Sequence, residues 1–158
     1  MRLETERLFI YPVSDGEMRA LAESEKDPEL RKAYSEMLRG CLDFPESRAW
    51  YAAWDMELRE SPGTAAGDLC FKGPPEGGAV EVGYGLRAGF CGRGYMTEAL
   101  RALCAWALAQ PGVMLIEAET EPGNAASQAV LARAGFVPTG KIGEEGPRFV
   151  LRGAGKDS

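Results

Sequence analysis

The sequence predicts a mixed α/β domain with a central, mostly antiparallel sheet, one parallel strand pair and flanking helices. Three observations lead there. Segments of period-two apolar alternation are interleaved with segments of helical periodicity. A glycine-rich turn joins a strand at Val80–Leu86 to a helix starting near Met96, and a strongly apolar strand, Val113–Thr120, follows that helix. Strand, helix and strand in this order make a βαβ unit, whose strands lie parallel.

Each element has its own signal. Leu8-Phe9-Ile10-Tyr11 is a short strand stopped by Pro12. Ser14 and Glu17 have capping-box spacing, which predicts a helix to about Ser24. Asp27-Pro28 opens a second helix that should reach Leu38 or Arg39 and end at Gly40. A third begins near Pro45 and carries Trp50 and Tyr51. Trp54–Arg59 alternates with period two and reads as a strand, with a helical continuation as the alternative. After the Pro62-Gly63 turn, Thr64–Lys72 is a strand centred on Leu69, Cys70 and Phe71. The loop 73–78 links it to Val80–Leu86, most simply as an antiparallel hairpin. The helix from Met96 to Gln110 puts Met96, Leu100, Leu103 and Ala107 on one face. Asn124 is a good N-cap for a helix to Ala134, and Gly135 suits the position just past its end. Phe136-Val137 starts a strand and Arg148–Leu151 is the last. One domain over 1–152 and a frayed tail over 153–158 are expected.

With 158 residues the chain is long enough to bury a core as one domain. Apolar residues make up 45% and charged residues 27%, and no apolar run approaches the ~18 residues that span a bilayer. The charged start, Met1–Arg7, lacks the apolar stretch of a signal peptide, so the cytoplasm is the expected compartment, with no membrane partner. A net charge of −6 argues against nucleic acid as the main partner and is compatible with an amine-bearing substrate. Cysteines at 41, 70, 91 and 104 show no CxxC pairing; Cys70 and Cys104 read as small buried residues. There is no histidine. That excludes a Ser-His-Asp triad, a Cys-His dyad and a histidine-ligated metal site, and no metal is expected. Proton transfer must use Glu, Asp, Tyr, Cys, Lys or water.

Glycines crowd at 89, 92 and 94, just before the Met96 helix. Such a turn offers backbone N–H groups at the positive end of a helix dipole, a ready site for phosphate or pyrophosphate. Two blocks then resemble the GNAT superfamily of acetyl-coenzyme A-dependent N-acetyltransferases. The first is Glu81-Val82-Gly83-Tyr84 followed by Cys91-Gly92-Arg93-Gly94-Tyr95-Met96-Thr97-Glu98-Ala99. The second is Asn124-Ala125-Ala126-Ser127, leading into Val130-Leu131 and Ala134-Gly135-Phe136. The opening Leu3-Glu4-Thr5-Glu6-Arg7-Leu8 is most similar to the branch that includes the ribosomal-protein N-terminal acetyltransferases. The resemblance covers nearly the whole chain. The family motif is Gln or Arg, two residues, Gly, one residue, then Gly or Ala. It falls on Cys91 to Met96: Gly94 matches, whereas Cys91 and Met96 depart.

The resemblance implies a single GNAT-like domain whose parallel strands splay, with acetyl-coenzyme A as co-substrate in the gap. Main-chain amides of Gly92, Arg93, Gly94, Tyr95 and Met96 would cradle its pyrophosphate, with Cys91 at the head of the motif. The Arg93 side chain would either reach the phosphates or face solvent. Backbone groups near Leu86 and Arg87 would hold the pantetheine arm, and the Leu86 amide would polarise the thioester carbonyl. Asn124 would contact the arm or serve as a cap alone. Ser127 would be a general acid near the sulfur or a local helix residue. Glu81 is the candidate base, directly or through water, with burial raising its pKa; the alternative is a solvated strand residue. Cys91 is either a reactive thiol or a plain substitution. Trp50, Tyr51, Trp54 and Tyr34 would line an acceptor pocket or belong to the core. The implied reaction is direct attack of a primary amine in a ternary complex, the amine being a protein N-terminus, an amino acid or a small molecule. An antibiotic-type amine acetyltransferase and a non-catalytic acyl-coenzyme A sensor are the alternatives. A homodimer is compatible with the resemblance.

Overall fold

The structure is a computed structural model and describes residues 1–153, so the expected tail lies outside the described residues from 154 onward. The strands are β1 (Leu3–Glu4), β2 (Leu8–Pro12), β3 (Trp54–Leu58), β4 (Ala65–Phe71), β5 (Ala79–Leu86), β6 (Leu115–Glu119), β7 (Val137–Ile142) and β8 (Pro147–Arg152). The helices are α1 (Asp15–Ser24), α2 (Pro28–Asp43), α3 (Tyr95–Leu108) and α4 (Ala125–Arg133), with a 3-10 helix at Pro45–Trp50. The strands form one eight-stranded sheet in the order β1-β2-β3-β4-β5-β6-β8-β7. Among the described residues only β5 and β6 are parallel, joined through α3, and the other neighbours are antiparallel. The predicted mixed sheet is therefore the observed one.

Local chemistry explains most boundaries. Ser14 accepts from the N–H of Glu17 at the start of α1, and Asp27 accepts from Glu29 at the start of α2. The second helix, however, runs through Gly40 to Asp43, so the expected stop at Gly40 fails. Gly40 is there for packing: a Cβ would collide with the Tyr51 ring. The short strand β1 was not anticipated, because two residues carry no periodicity.

The sheet has two unlike faces, because successive side chains alternate along each strand. One face buries Leu8, Ile10, Trp54, Met56, Leu69, Val80, Val82 and Ile116 in a cluster with Met96, Leu100, Leu103 and Leu131 of α3 and α4. Each fully buried Leu or Ile there contributes about 1.5–3 kcal/mol. The other face carries Tyr11, Asp55, Glu57, Asp68, Cys70, Glu81, Glu117 and Glu119, all only partly buried. Above part of it, α1 and α2 share a small core of Val13, Met18, Cys41, Ala52 and Ala53.

Candidate active site

The site begins where β5 and β6 part. Their parallel register runs Ala79↔Leu115, Val80↔Ile116, Glu81↔Glu117 and stops there, while β5 continues to Leu86. Along the other edge of β5, Glu81 accepts from the Lys72 N–H at 2.8 Å and the Arg87 N–H donates to Ala66 at 2.8 Å. Strand alternation therefore turns the main-chain groups of Tyr84 and Leu86 into the opening. The Leu86 N–H faces this opening. Arg87 differs: its N–H serves Ala66 and its carbonyl accepts from Phe90 at 3.3 Å, so its backbone is not offered to the gap.

The glycine turn closes one end of this opening. Gly92 and Gly94 both adopt the left-handed conformation, each with φ of 76°. Gly94 is the N-cap of α3 and brings no side-chain acceptor. The first N–H groups of α3, at Tyr95, Met96 and Thr97, thus have no intrahelical or capping partner. The N-terminal segment braces the turn. Arg7 Nη1 donates to the Arg93 carbonyl at 2.8 Å, and Arg7 Nε donates to Glu98 at 2.7 Å. Burial pushes the Glu98 carboxyl up, but hydrogen bonds from Thr5 and Arg7 outweigh it and hold the pKa below the ordinary value. Tyr95 and Met96 are buried in the core. Cys91 and the Arg93 residue are exposed at the rim. Between α3 and α4 lies a cavity of about 430 Å³ lined by Leu86, Cys91, Gly92, Gly94 and Val130 among others.

A second cavity, about 250 Å³, continues it past Tyr84, Asn124 and Ser127. Asn124 caps α4: its Oδ1 accepts from the Ser127 N–H at 3.0 Å. Its NH2 has no partner among the described residues and stays available to a ligand. Ser127 Oγ and the Tyr84 hydroxyl are 2.8 Å apart. Burial pushes the Tyr84 phenol up, so it stays protonated near neutrality and can donate. Sequence analysis gives Tyr84 no role of its own, yet β5 brings its hydroxyl beside Ser127. The signal was available, since Tyr84 shares the parity of Val80 and Val82 and so points to the helix side.

Glu81 lies on the opposite face and behaves otherwise than expected. Its carboxylate pairs with Lys72 Nζ at 3.0 Å and Arg148 Nη2 at 3.0 Å. Burial pushes its pKa up, but the hydrogen bonds from Arg148 and Lys72 reverse this and leave it lowered. The expected rise is overturned, because burial here comes with cations. On the same face, Asp55 stands opposite Asp68, and Asp68 opposite Gly85. Neither carboxylate has a hydrogen-bond or ion-pair partner among the described residues. Burial raises the pKa of both, with Arg87 pulling back against it. Between α1 and Asp55 is a cavity of about 320 Å³ lined by Glu17, Leu21, Asp55 and Arg87 among others. The pair leaves no mark in the sequence, since polar alternation is the ordinary pattern of a half-solvated strand.

The remaining candidates resolve mostly as structure. Trp50 and Trp54 join Phe71 and Trp106 in an aromatic cluster with neighbouring centroids 4.7–6.3 Å apart, so they are core rather than pocket wall. Tyr51 covers Gly40 and stacks on Phe44 at 5.5 Å. Tyr34 packs in the smaller core, close enough to Asp68 and Arg87 to sense their charge. Cys104 is buried and its thiol is pushed up to about 12 by burial. No helix among the described residues is long and apolar enough to cross a membrane.

Comparison with known proteins supplies the family. The chain is 29% identical over 94 residues to the uncharacterized N-acetyltransferase YjdG of Bacillus subtilis (strain 168). That match covers 60% of this chain and 56% of the relative, so the chain matches a little over half of that protein's length. The fold is shared with an acetyltransferase from Agrobacterium tumefaciens str. C58, at TM-score 0.74 and 23% identity over 97% of this chain and 95% of the other. It is shared equally with RimL, a ribosomal L7/L12 alpha-N-protein acetyltransferase solved in complex with coenzyme A, at TM-score 0.73 and 17% identity over 96% and 98%. The family model described as the acetyltransferase (GNAT) domain matches residues 7–137. The fork, the glycine turn and this match agree, and the chain belongs to the GNAT acetyltransferase family.

Proposed function

We propose that this protein transfers an acetyl group from acetyl-coenzyme A to a primary amine. The observation that carries the reading is the fork. It is an opening between parallel strands, closed at one end by uncapped helix amides and flanked by a hydroxyl pair. Amides of Gly92 to Met96 would hold the pyrophosphate, and Arg93 stands at the rim where phosphates would lie. Asn124 would hold the pantetheine arm through its free NH2. The Leu86 N–H would stabilise the oxyanion that forms when the amine attacks the thioester carbon. As the C–S bond breaks, the Tyr84–Ser127 pair would give a proton to the departing thiolate.

The amine would arrive on the other face of β5, where Asp55 and Asp68 are unpartnered. Two part-buried carboxylates without donors are costly unless a cation or a donor completes them. An ammonium would do so, and Asp68, next to Gly85, would then take its proton. Glu81 is the poorer base, because cations already hold its carboxylate in the ionised form. The acceptor class spans a protein N-terminus, an amino acid and a small amine such as an antibiotic.

The test is acetyl-coenzyme A turnover, read as thiol release, over peptides with free N-termini, amino acids, polyamines and aminoglycosides. Turnover with at least one class is expected. Tyr84→Phe and Ser127→Ala should each lower kcat about 10-fold or more while leaving acetyl-coenzyme A affinity within about threefold. Coenzyme A binding with no turnover on the whole panel would replace this reading with that of an acyl-coenzyme A sensor.

A further inference from the structure

We propose that Arg148 is a positioning residue that staples β5 to β6 at the point where they part, and so sets the opening in which the thioester is held. This rests on the fork being the acetyl-coenzyme A site. Arg148 is on β8, opposite Glu119 in the sheet register. Its Nη1 donates to Glu119 at 2.6 Å. Its Nη2 reaches over β6, donating to Glu117 at 2.6 Å and to Glu81 of β5 at 3.0 Å. Glu81 and Glu117 are the final register pair before the strands diverge. One planar guanidinium thus grips both strands at the root of the fork, a geometry that an ammonium cannot reproduce.

The surroundings explain why a cation is needed. Glu81 and Glu117 are like charges directly opposite each other, an arrangement that pushes neighbouring strands apart. Glu119 adds a further carboxylate, and its side chain is only 6% exposed. Lys72 reaches Glu81 alone among these carboxylates, so Arg148 is the group that bridges the strands. The staple also connects to the β7–β8 turn. Glu119 accepts from the Glu145 N–H at 2.7 Å, and a Cβ on Gly143 would collide with the Glu119 carboxylate. The hairpin, the fork and the cluster on the open face are therefore one mechanical unit. Among the described residues no hydrogen bond or ion pair links this cluster to the glycine turn, which would carry most of the coenzyme A affinity.

Removing the staple should widen the fork without abolishing cofactor binding. The experiment compares the full chain with Arg148→Met and Arg148→Lys by amide hydrogen exchange at 79–81 and 115–117, followed by NMR. Calorimetry with acetyl-coenzyme A and kcat with the fastest amine of the panel complete it. Both variants should exchange at least about tenfold faster at the root of the fork. Each should lose at least about tenfold in kcat, with acetyl-coenzyme A affinity changed by less than about threefold. Adding Glu117→Gln to Arg148→Met removes the opposed charge and should slow exchange again. Unchanged exchange in both variants overturns the staple. Faster exchange with wild-type kcat overturns the positioning role and leaves only stability. A failure of the acetyl-transfer reading would appear in the wild-type protein, whereas a failure of this inference appears only in the variants.

Discussion

The two sides of β5 solve different problems with different materials. On the helix side, the candidate cofactor groove is made of main-chain N–H groups, glycine turns and one neutral hydroxyl pair. On the open side, the groups are charged side chains: Asp55, Asp68 and Arg87 at one end, and Glu81, Lys72, Glu117 and Arg148 at the other. A backbone cradle tolerates side-chain change as long as the turn can form. A side-chain site does not, because each carboxylate depends on a particular partner. This contrast explains how Cys91 and Met96 can leave the family pattern on the helix side. Under the proposed amine route, selectivity for the acceptor would lie on the open side.

The sharpest way to break the comparison is at Asp68. If it takes the proton of the amine, Asp68→Asn should lower kcat/KM for the amine by about 100-fold, with acetyl-coenzyme A affinity unchanged. Steady-state kinetics and calorimetry on the same preparation check both halves; an unaltered kcat/KM would return the base to Glu81 or water. Next is Gly94, whose φ of 76° at the N-cap favours glycine over any β-branched residue. Gly94→Val should weaken acetyl-coenzyme A binding by about 10-fold, from a left-handed strain of about 1–2 kcal/mol. Because the turn is remote from the open face, the amine KM should stay near wild type. A reversed pattern would show that the two sides are not separable.

Glu98 tests how the backbone cradle is held. Its side chain is 18% exposed and takes hydrogen bonds from Thr5 and Arg7. The folded pKa is lowered, so its contribution is fully present above the unfolded value of about 4.3 and is lost as pH falls through the folded value. Glu98→Gln should cost about 1–2 kcal/mol at pH 7 and give a flatter acid limb in denaturant titrations. Smallest of all should be Cys91→Gln, which restores the family residue at an exposed position. An acetyl-coenzyme A Kd within about threefold of wild type is expected, since main-chain groups would do the binding. A tenfold gain would mean that the side chain at 91 matters after all.

Much of this is legible in the sequence alone. The capping signals at Ser14, Asp27 and Asn124 and the stripe Met96, Leu100, Leu103, Ala107 are local patterns, and each reappears in the fold. Gly40 was misread because a terminating glycine and a close-packing glycine look alike until Tyr51 arrives above one of them. The direction of the Glu81 pKa shift escapes the sequence for a related reason. Burial was foreseeable from its strand, but Lys72 and Arg148, which set the sign of its pKa shift, come from other strands.

What the sequence determined by itself was the class of fold, the glycine turn before α3 and the family blocks that name the chemistry. All depend on residues close together along the chain, where periodicity and backbone preference act. Only the tertiary structure decided which side chains meet: Tyr84 with Ser127, Asp55 with Asp68, and Arg148 with carboxylates of β5 and β6. Those pairings depend on strand order and register, which the sheet fixes through contacts between residues far apart in the chain.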